Sequence, residues 1–306
     1  MKKNILTQFI GISILVIVVI IGTGCNNNQK SNNARVLLSN SSAIENQEVK
    51  GEVDNDLLLS EQKEQYESNK IFHKSKQKQE KSLKVYKEKG IPVLMYHSIG
   101  FEPKNDLKVS KEKFEVQMKY LKDNGYTTLT MEELYKALNY AEEIPEKPVV
   151  LSFDDGYRDN YTEAYPALKR YDLKGTIFVI TDLIDKSSAY LNSSQIKEMS
   201  DYGISIESHT VYHEELNLLS YDRQFKTLNR SKKDLEGITN KEIIAVAYPV
   251  GKYNEKAIKA VSEAGYKMAF TTKYGFAKKN SGIFTLSRIR INGSDSMETF
   301  KAKLGA

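Results

Sequence analysis

Residues 149–156 read Val149-Val150-Leu151-Ser152-Phe153-Asp154-Asp155-Gly156, an apolar run that ends in two carboxylates and a glycine. The apolar part is typical of a strand buried on both faces of a parallel sheet. Gly156 allows the backbone to turn sharply where this strand ends. An Asp-Asp-Gly tripeptide is by itself typical of an ordinary turn. That interpretation leaves two acidic groups at the end of a hydrophobic strand without a function, so we treat them as candidate site residues.

Further apolar, β-branched runs lie on both sides of this stretch, and segments with helical spacing separate them. The runs cover residues 91–96, 176–180, 204–207, 243–248, 267–271 and 283–291. Helices are predicted behind the N-cap candidate Ser110, behind a capping box at Thr130–Glu133, and over residues 195–202 and 254–264. Strands that alternate with helices over residues 91–306 predict an α/β fold with a parallel sheet, either open or closed as a barrel.

Residues that could take part in catalysis or metal binding follow several of the predicted strands. His97 follows the first, Asp154 and Asp155 the second, and His209 and His213 a later one, while Pro249 and an arginine accompany two more. In parallel α/β barrels the carboxyl ends of the strands form one rim, where active sites lie. The sequence therefore predicts a single site at this rim.

The histidine pair and the aspartates together suggest a metal site. His209 and His213 are four residues apart, so that on one helical turn, or in a loop at the start of a helix, both can face the same point. One neighbouring carboxylate completes the ligand set and the other stays a proton acceptor. Two imidazoles, a carboxylate and an open position suit Zn²⁺ or another borderline divalent ion that activates water.

Three ordered motifs resemble those of a known family. Residues 151–156, the run from His209 to Leu216 and the run from Ala247 to Asn254 are similar to the first three motifs of NodB-type polysaccharide deacetylases, which form carbohydrate esterase family 4. The resemblance covers residues 91–291. It implies a distorted (β/α) barrel and an enzyme that removes acetyl groups from an N-acetylated glycan polymer with the help of a metal.

By position, the resemblance assigns most roles in the site. It implies Asp154 as the general base and Asp155, His209 and His213 as ligands of Zn²⁺, or of Co²⁺, Ni²⁺ or Mn²⁺. It also implies that the backbone N–H of Val250 donates to the oxyanion. The third motif departs from the family at two positions, since Ala247 stands where an arginine is common and Val250 where a tyrosine is common.

Two further roles follow from a narrower resemblance. The chain has no tryptophan and no histidine after His213, so the family's late segments are missing. The run from Pro92 to His97 resembles the early strand of poly-N-acetylglucosamine deacetylases, which implies His97 as the general acid. Arg288 or Arg290 is then expected to orient the base, and strand alternation leaves both open because it places them on the same face.

The amino-terminal part resembles a bacterial lipoprotein signal. Lys2 and Lys3 precede an apolar run over residues 9–21, and small residues lead to Cys25. We predict a signal peptide over residues 1–24, a lipid on Cys25, a polar and partly helical or disordered tether over residues 25–89, and the deacetylase domain over residues 90–306. An uncleaved anchor is the alternative, although the run is shorter than the roughly 20 residues that a spanning helix needs. The protein is expected outside the cytoplasm, anchored by lipid to the cell membrane.

Composition narrows the remaining possibilities. The single cysteine excludes an intrachain disulfide framework. The net charge is +5, but residues 1–90 contribute +4 of it, with 14 basic and 10 acidic side chains, so a nucleic-acid partner is not expected. We expect a monomer. The alternatives are an O-acetyl esterase on wall sugars or xylan, and a surface lipoprotein that binds glycans without turnover. Peptidoglycan and poly-N-acetylglucosamine both remain open as the polymer.

Overall fold

A computed structural model of the chain describes residues 63, 65–68, 70, 89–140 and 144–305. The predicted signal peptide, Cys25 and most of the tether lie outside these residues, so those predictions and the domain boundaries stay predictions. The described residues before 89 are helical and exposed. Within the described part of the chain, no helix has both the length and the apolar character to cross a bilayer.

Seven parallel strands close into a barrel. The described residues contain ten strands: β1 (Val93–Tyr96), β2 (Ser98–Ile99), β3 (Lys108–Val109), β4 (Thr127–Thr128), β5 (Pro148–Phe153), β6 (Thr176–Val179), β7 (Ser205–Ser208), β8 (Ala245–Ala247), β9 (Met268–Tyr274) and β10 (Leu286–Arg290). The barrel order is β1-β10-β9-β8-β7-β6-β5, and pairing of β1 with β5 closes it. The short β4 pairs in parallel with the amino-terminal end of β5, while β2 and β3 form a separate pair. The prediction of a (β/α) barrel is confirmed.

Helices cover the outside of this barrel. They are α1 (Lys111–Asp123), α2 (Met131–Tyr140), α3 (Tyr165–Tyr171), α4 (Ser193–Tyr202), α5 (Tyr221–Thr239), α6 (Glu255–Glu263) and α7 (Met297–Lys303). The predicted caps are present: Ser110 accepts from the N–H of Lys113, and Thr130 and Glu133 bond each other's backbone reciprocally. Helices α1, α2, α4 and α6 are thereby confirmed, whereas α3, α5 and α7 were not predicted.

Alternate strand residues divide the core into two layers. Val93, Val150 and Phe270 pack in one buried cluster with other residues of the barrel strands. Their neighbours Leu94 and Leu151 pack in the other cluster, which includes residues of the covering helices. Burial of each such side chain contributes about 1.5–3 kcal/mol to folding. Because both faces of the strands are buried, the seven strands stay in register and their carboxyl ends meet at one rim.

Candidate active site

Asp155, His209 and His213 converge at this rim. Each offers one ligand atom, and these atoms lie within 4.8 Å of one another. Oδ1 of Asp155 is 3.4 Å from Nε2 of His209 and 3.5 Å from Nε2 of His213. A tetrahedral site with bonds of 2.0–2.2 Å separates its ligand atoms by about 3.4 Å. The donor set therefore fits a divalent cation with one position left open.

The loop that carries the two histidines is not helical, so the helical-turn alternative is wrong. Thr210 and His213 have φ values of +66° and +58°, in the left-handed region. The hydroxyl of Thr210 accepts from the N–H of His213 at 3.1 Å, and Thr227 of α5 accepts from the N–H of Val211 at 3.2 Å. These bonds offset the cost of the unusual backbone and fix the spacing of the two imidazoles.

The imidazole of His209 is held in one orientation. Its Nδ1 lies 2.8 Å from the carbonyl oxygen of Ala247. A carbonyl oxygen only accepts, so Nδ1 carries a proton, and Nε2 faces Asp155 as the nitrogen that a cation would bind. Burial acts to lower the pKa of His209, but the hydrogen bond with Asp155 and the negative charges of Asp154 and Asp155 outweigh burial and raise it. Burial likewise acts to raise the pKa of Asp155, and His209 lowers it, so this carboxylate is ionised as a metal ligand must be.

Asp154 binds a different partner from its neighbour. Its Oδ1 and Oδ2 accept from Nη1 and Nη2 of Arg288 at 2.6 and 2.8 Å, and both side chains are buried. Burial acts to raise the pKa of Asp154, but the Arg288 guanidinium outweighs burial and holds this pKa well below its usual range. Arg288 is itself fixed by the carbonyl oxygen of Thr271 and by the ring of Phe178. Asp154 is therefore an ionised proton acceptor in a rigid setting.

Arg288 and Arg290, the two arginines that the sequence left open, occupy different environments. Arg288 is fully buried and contacts Asp154, whereas Arg290 is half-buried at the end of β10. The register between β10 and β9 shifts between Leu286 and Arg288, which marks an irregularity in this strand pair. Within the described residues, Arg288 is the candidate that hydrogen-bonds to the base.

The backbone separates the two adjacent carboxylates. Asp155 and Gly156 both have positive φ, +74° and +73°. This turn places Asp155 beside the histidines and leaves Asp154 against Arg288. A non-glycine residue in this region is uncommon and costs about 1–3 kcal/mol. The surrounding hydrogen bonds and ion pairs offset that cost. The conformation of the turn thus directs the two adjacent carboxylates to different partners.

Val250 is a second strained residue at the rim. Its φ is +56°, an outlier for a β-branched side chain, and 52% of its surface is exposed. The turn around it is closed by the N–H groups of Gly251 and Lys252, which donate to Tyr248 and Pro249. The turn's own bonds do not use the N–H of Val250, which is consistent with the predicted oxyanion donor.

Gly251→Ala is expected to lower the free energy of unfolding by about 1–3 kcal/mol. At φ +71° a Cβ would lie 2.1 Å from Oγ1 and 2.7 Å from the backbone N of Thr272, so the turn that presents Val250 must shift. Thermal or urea unfolding measures the loss. The matched control is Gly237→Ala in α5, where a Cβ meets nothing within 4 Å and helix propensity favours alanine by about 0.5–1 kcal/mol. Equal stability of the two variants would contradict the assigned constraint.

His97 lies at the end of β1 and is 8% exposed. Burial lowers its pKa, while the negative charges of Asp154 and Asp155 oppose this effect, which places the imidazole within electrostatic reach of both carboxylates. Its Nδ1 is buried and has no hydrogen-bond partner among the described residues. The structure thus places His97 at the same rim as the other predicted residues, and its role as general acid stays a prediction.

Sequence reasoning missed the residues that support this site. Thr227 lies on α5, which was not predicted, and the carbonyl groups of Ala247 and Thr271 have no signature in a sequence. Asp159 and Asn160, which contact the segment around His97, lie three and four residues after Gly156 of the Asp-Asp-Gly turn. Their only signal is their polarity at the entry to a helical segment, and this signal does not reveal a contact with a distant strand.

Comparison with known proteins identifies the family of this chain. A match to the polysaccharide deacetylase family covers residues 141–269. The protein YxkH of Bacillus subtilis (strain 168), which is named for polysaccharide deacetylase activity, is 43% identical over 220 residues, or 72% of this chain and 78% of that protein. The chain belongs to the polysaccharide deacetylase family. Enzymes of this family are metal-dependent amide hydrolases that act on N-acetylated glycans, and the deacetylase has a possible metal site in Asp155, His209 and His213.

Two other relatives extend the comparison. The poly-β-1,6-N-acetyl-D-glucosamine N-deacetylase of Staphylococcus aureus (strain MRSA252) is 29% identical to this deacetylase over 243 residues, or 69% of this chain and 82% of that protein. The structure of the Streptococcus pyogenes deacetylase PplD in complex with acetate superposes with a TM-score of 0.68 at 39% identity, over 70% of this chain and 98% of that chain. The predicted family, fold and enzyme class are confirmed.

Proposed function

We propose that the deacetylase removes N-acetyl groups from a polymer of N-acetylglucosamine and uses a divalent cation held by Asp155, His209 and His213. The observation that carries this proposal is the separation of two adjacent carboxylates. One faces two imidazole nitrogens at 3.4 and 3.5 Å, and the other is paired with a buried arginine. A metal-dependent hydrolase needs one carboxylate that binds the cation and a second that accepts a proton. The two adjacent aspartates supply both.

The residues of the chain divide the work of hydrolysis. A cation bound at the rim would polarise the acetyl carbonyl and lower the pKa of the attacking water. Asp154 accepts a proton from that water, and Arg288 holds the carboxylate in place for this transfer. The N–H of Val250 donates to the oxygen on which negative charge develops. These roles match what the family resemblance implies.

His97 supplies the proton that the leaving group needs. An amine is a poor leaving group unless it is protonated, so amide hydrolysis depends more on a general acid than ester hydrolysis does. The placement of a buried histidine at the strand end next to the one that carries both carboxylates therefore favours N-acetyl over O-acetyl substrates. An O-acetyl esterase acting on wall sugars or xylan is the alternative that the experiment below must separate.

The proposal also names a preferred polymer and a preferred metal. The name of the Staphylococcus aureus relative favours poly-N-acetylglucosamine, and peptidoglycan is the second candidate. Two imidazoles and one carboxylate favour Zn²⁺, with Co²⁺, Ni²⁺ and Mn²⁺ as substitutes. The proposal also includes a lipid on Cys25 and a position outside the cytoplasm, which rest on the amino-terminal sequence alone. Recovery of the protein with the membrane fraction, and its loss from that fraction in Cys25→Ser, checks this part.

Acetate release by the purified chain tests the proposed activity. We expect release from poly-N-acetylglucosamine or peptidoglycan, loss of that release after chelation, and recovery when Zn²⁺ is added back. O-acetylated xylan is the matched substrate for the esterase alternative. Release from xylan alone would overturn the amide assignment. A chain that binds glycan but contains no metal and releases no acetate would instead be a binding protein.

A further inference from the structure

Asp159 and Asn160 hold the chain from the carbonyl group of His97 to the N–H of Ile99. The side-chain amide of Asn160 donates to the carbonyl oxygen of His97 at 2.8 Å. Oδ1 of Asp159 accepts from the N–H of Ile99 at 3.0 Å, and Oδ2 accepts from the hydroxyl of Ser98 at 2.5 Å. Asn160 also donates to Asp159 at 3.1 Å, which joins the two side chains into one unit. We call these two residues the Asp159–Asn160 clamp.

The clamp contacts the chain just beyond the point where the strand pairing of the barrel ends. Pairing of β1 with β5 ends at Tyr96 and Phe153, and the last bond runs from the N–H of Asp154 to the carbonyl oxygen of Tyr96. Beyond that point the chain leaves the barrel and next pairs with β3 through Ser98 and Ile99. His97 lies between these two regions. Without the clamp, the carbonyl of His97 would be a buried acceptor at the edge of the barrel with no side-chain donor.

The position of Asn160 is itself well defined. Asn160 is 1% exposed and begins a π-helical turn, Asn160–Ala164, that leads into α3. Turns of this kind are rare in proteins, and those that occur often lie at functional sites. The turn follows the Asp-Asp-Gly motif after only three residues, so the segment that carries the base and a metal ligand also carries the clamp. The clamp therefore ties the backbone of His97 to the same short segment as both carboxylates.

We propose that Asn160, together with Asp159, is the positioning residue that sets the orientation of the His97 imidazole for proton delivery to the leaving amine. This inference rests on the proposed function, because it assumes that His97 acts as the general acid. Asn160 contacts the backbone of His97 and acts through it, without touching the substrate. The imidazole makes no hydrogen bond through its buried Nδ1 among the described residues, so its orientation depends on its backbone.

A double-mutant cycle on acetate release tests this inference. Asn160→Ala in the full chain is expected to lower kcat about 10²-fold with KM unchanged, since a displacement of about 1 Å in a reacting group costs that much. His97→Ala is expected to lower kcat about 10²–10⁴-fold. The double variant is expected to match His97→Ala, because a residue that acts through His97 has no effect once the imidazole is gone.

The controls separate positioning from loss of fold. Gln117→Ala removes an equally buried amide that accepts from the hydroxyl of Tyr96 at 2.9 Å and does not bond His97, and its effect should multiply with that of His97→Ala. If Asn160→Ala does not fold, Asp159→Asn takes its place in the same cycle, with a smaller expected loss. A multiplicative effect of the clamp variant would overturn the inference while the proposed function stands. Unchanged activity of His97→Ala would instead remove His97 as the acid, and with it the inference.

Discussion

Asp154→Asn is expected to lower acetate release from an N-acetylglucosamine polymer by about 10²–10⁴-fold while the bound metal is retained. The amide has no basic oxygen that can take a proton from water, but it can still accept a hydrogen bond from Arg288. The ligand atoms of Asp155, His209 and His213 are untouched by the change. Metal content by elemental analysis and acetate release by a coupled assay measure the two quantities on the same sample.

The adjacent acid provides the matched control for this prediction. Asp155→Asn changes the same kind of side chain one residue away, but the lost carboxylate is the one that faces His209 and His213. This variant is expected to lose bound metal as well as activity. Acetate release by Asp154→Asn at the wild-type rate would remove Asp154 as the base. Loss of metal in both variants would show that the two acids do not have separate roles.

Arg288→Met is expected to lower the free energy of unfolding by about 3–5 kcal/mol at pH 7, because it leaves Asp154 buried without its counter-charge. In the wild type, Arg288 holds the pKa of Asp154 low, so the pair contributes stability above the ordinary aspartate pKa of about 3.9 and loses it as the pH falls. In the variant, burial is the largest influence on this pKa and is opposed by the charges of His209 and His97 without the guanidinium, so we expect the pKa to rise. The difference between the two proteins should therefore shrink from pH 7 toward pH 4.

Urea unfolding of metal-free protein at several pH values measures this difference without the added stabilisation of a bound ion. Adding Asp154→Asn to Arg288→Met removes the uncompensated charge and is expected to restore most of the lost stability. Arg290→Met is the matched control, since Arg290 is half-buried on the same strand and, within the described residues, does not hydrogen-bond to the base. A pH-independent loss in Arg288→Met would contradict the charge-based explanation.

Much of the fold and of the site could be predicted because strand ends are visible in a sequence. Buried parallel strands are continuous apolar runs, and the polar residues that follow them belong to one rim. From the sequence alone, that rule predicts one site that contains Asp154, Asp155, His209, His213 and His97. The choice between Arg288 and Arg290 was beyond it, because residues two apart in a strand share a face and only tertiary contacts distinguish them.

The backbone of the site could not be predicted for a different reason. Asp155, Thr210, His213 and Val250 all have positive φ, although none of them is glycine. Local sequence preferences argue against this conformation, and it persists only because tertiary bonds outweigh its cost. The longest described helix, α5, was missed because its buried face includes Gln224, Thr227 and Ser231, which interrupt the apolar spacing that marks a helix.

Asp154 and Asp155 are joined by a single peptide unit, and neighbouring Cα atoms across such a unit are about 3.8 Å apart. Arg288 anchors Asp154 from inside the barrel, which restricts how far the backbone of the adjacent Asp155 can shift. An ion with a larger radius could not retract Asp155 without straining the anchored carboxylate next to it. At the proposed metal site we therefore expect ionic size, as well as Lewis acidity, to determine how well one metal replaces another.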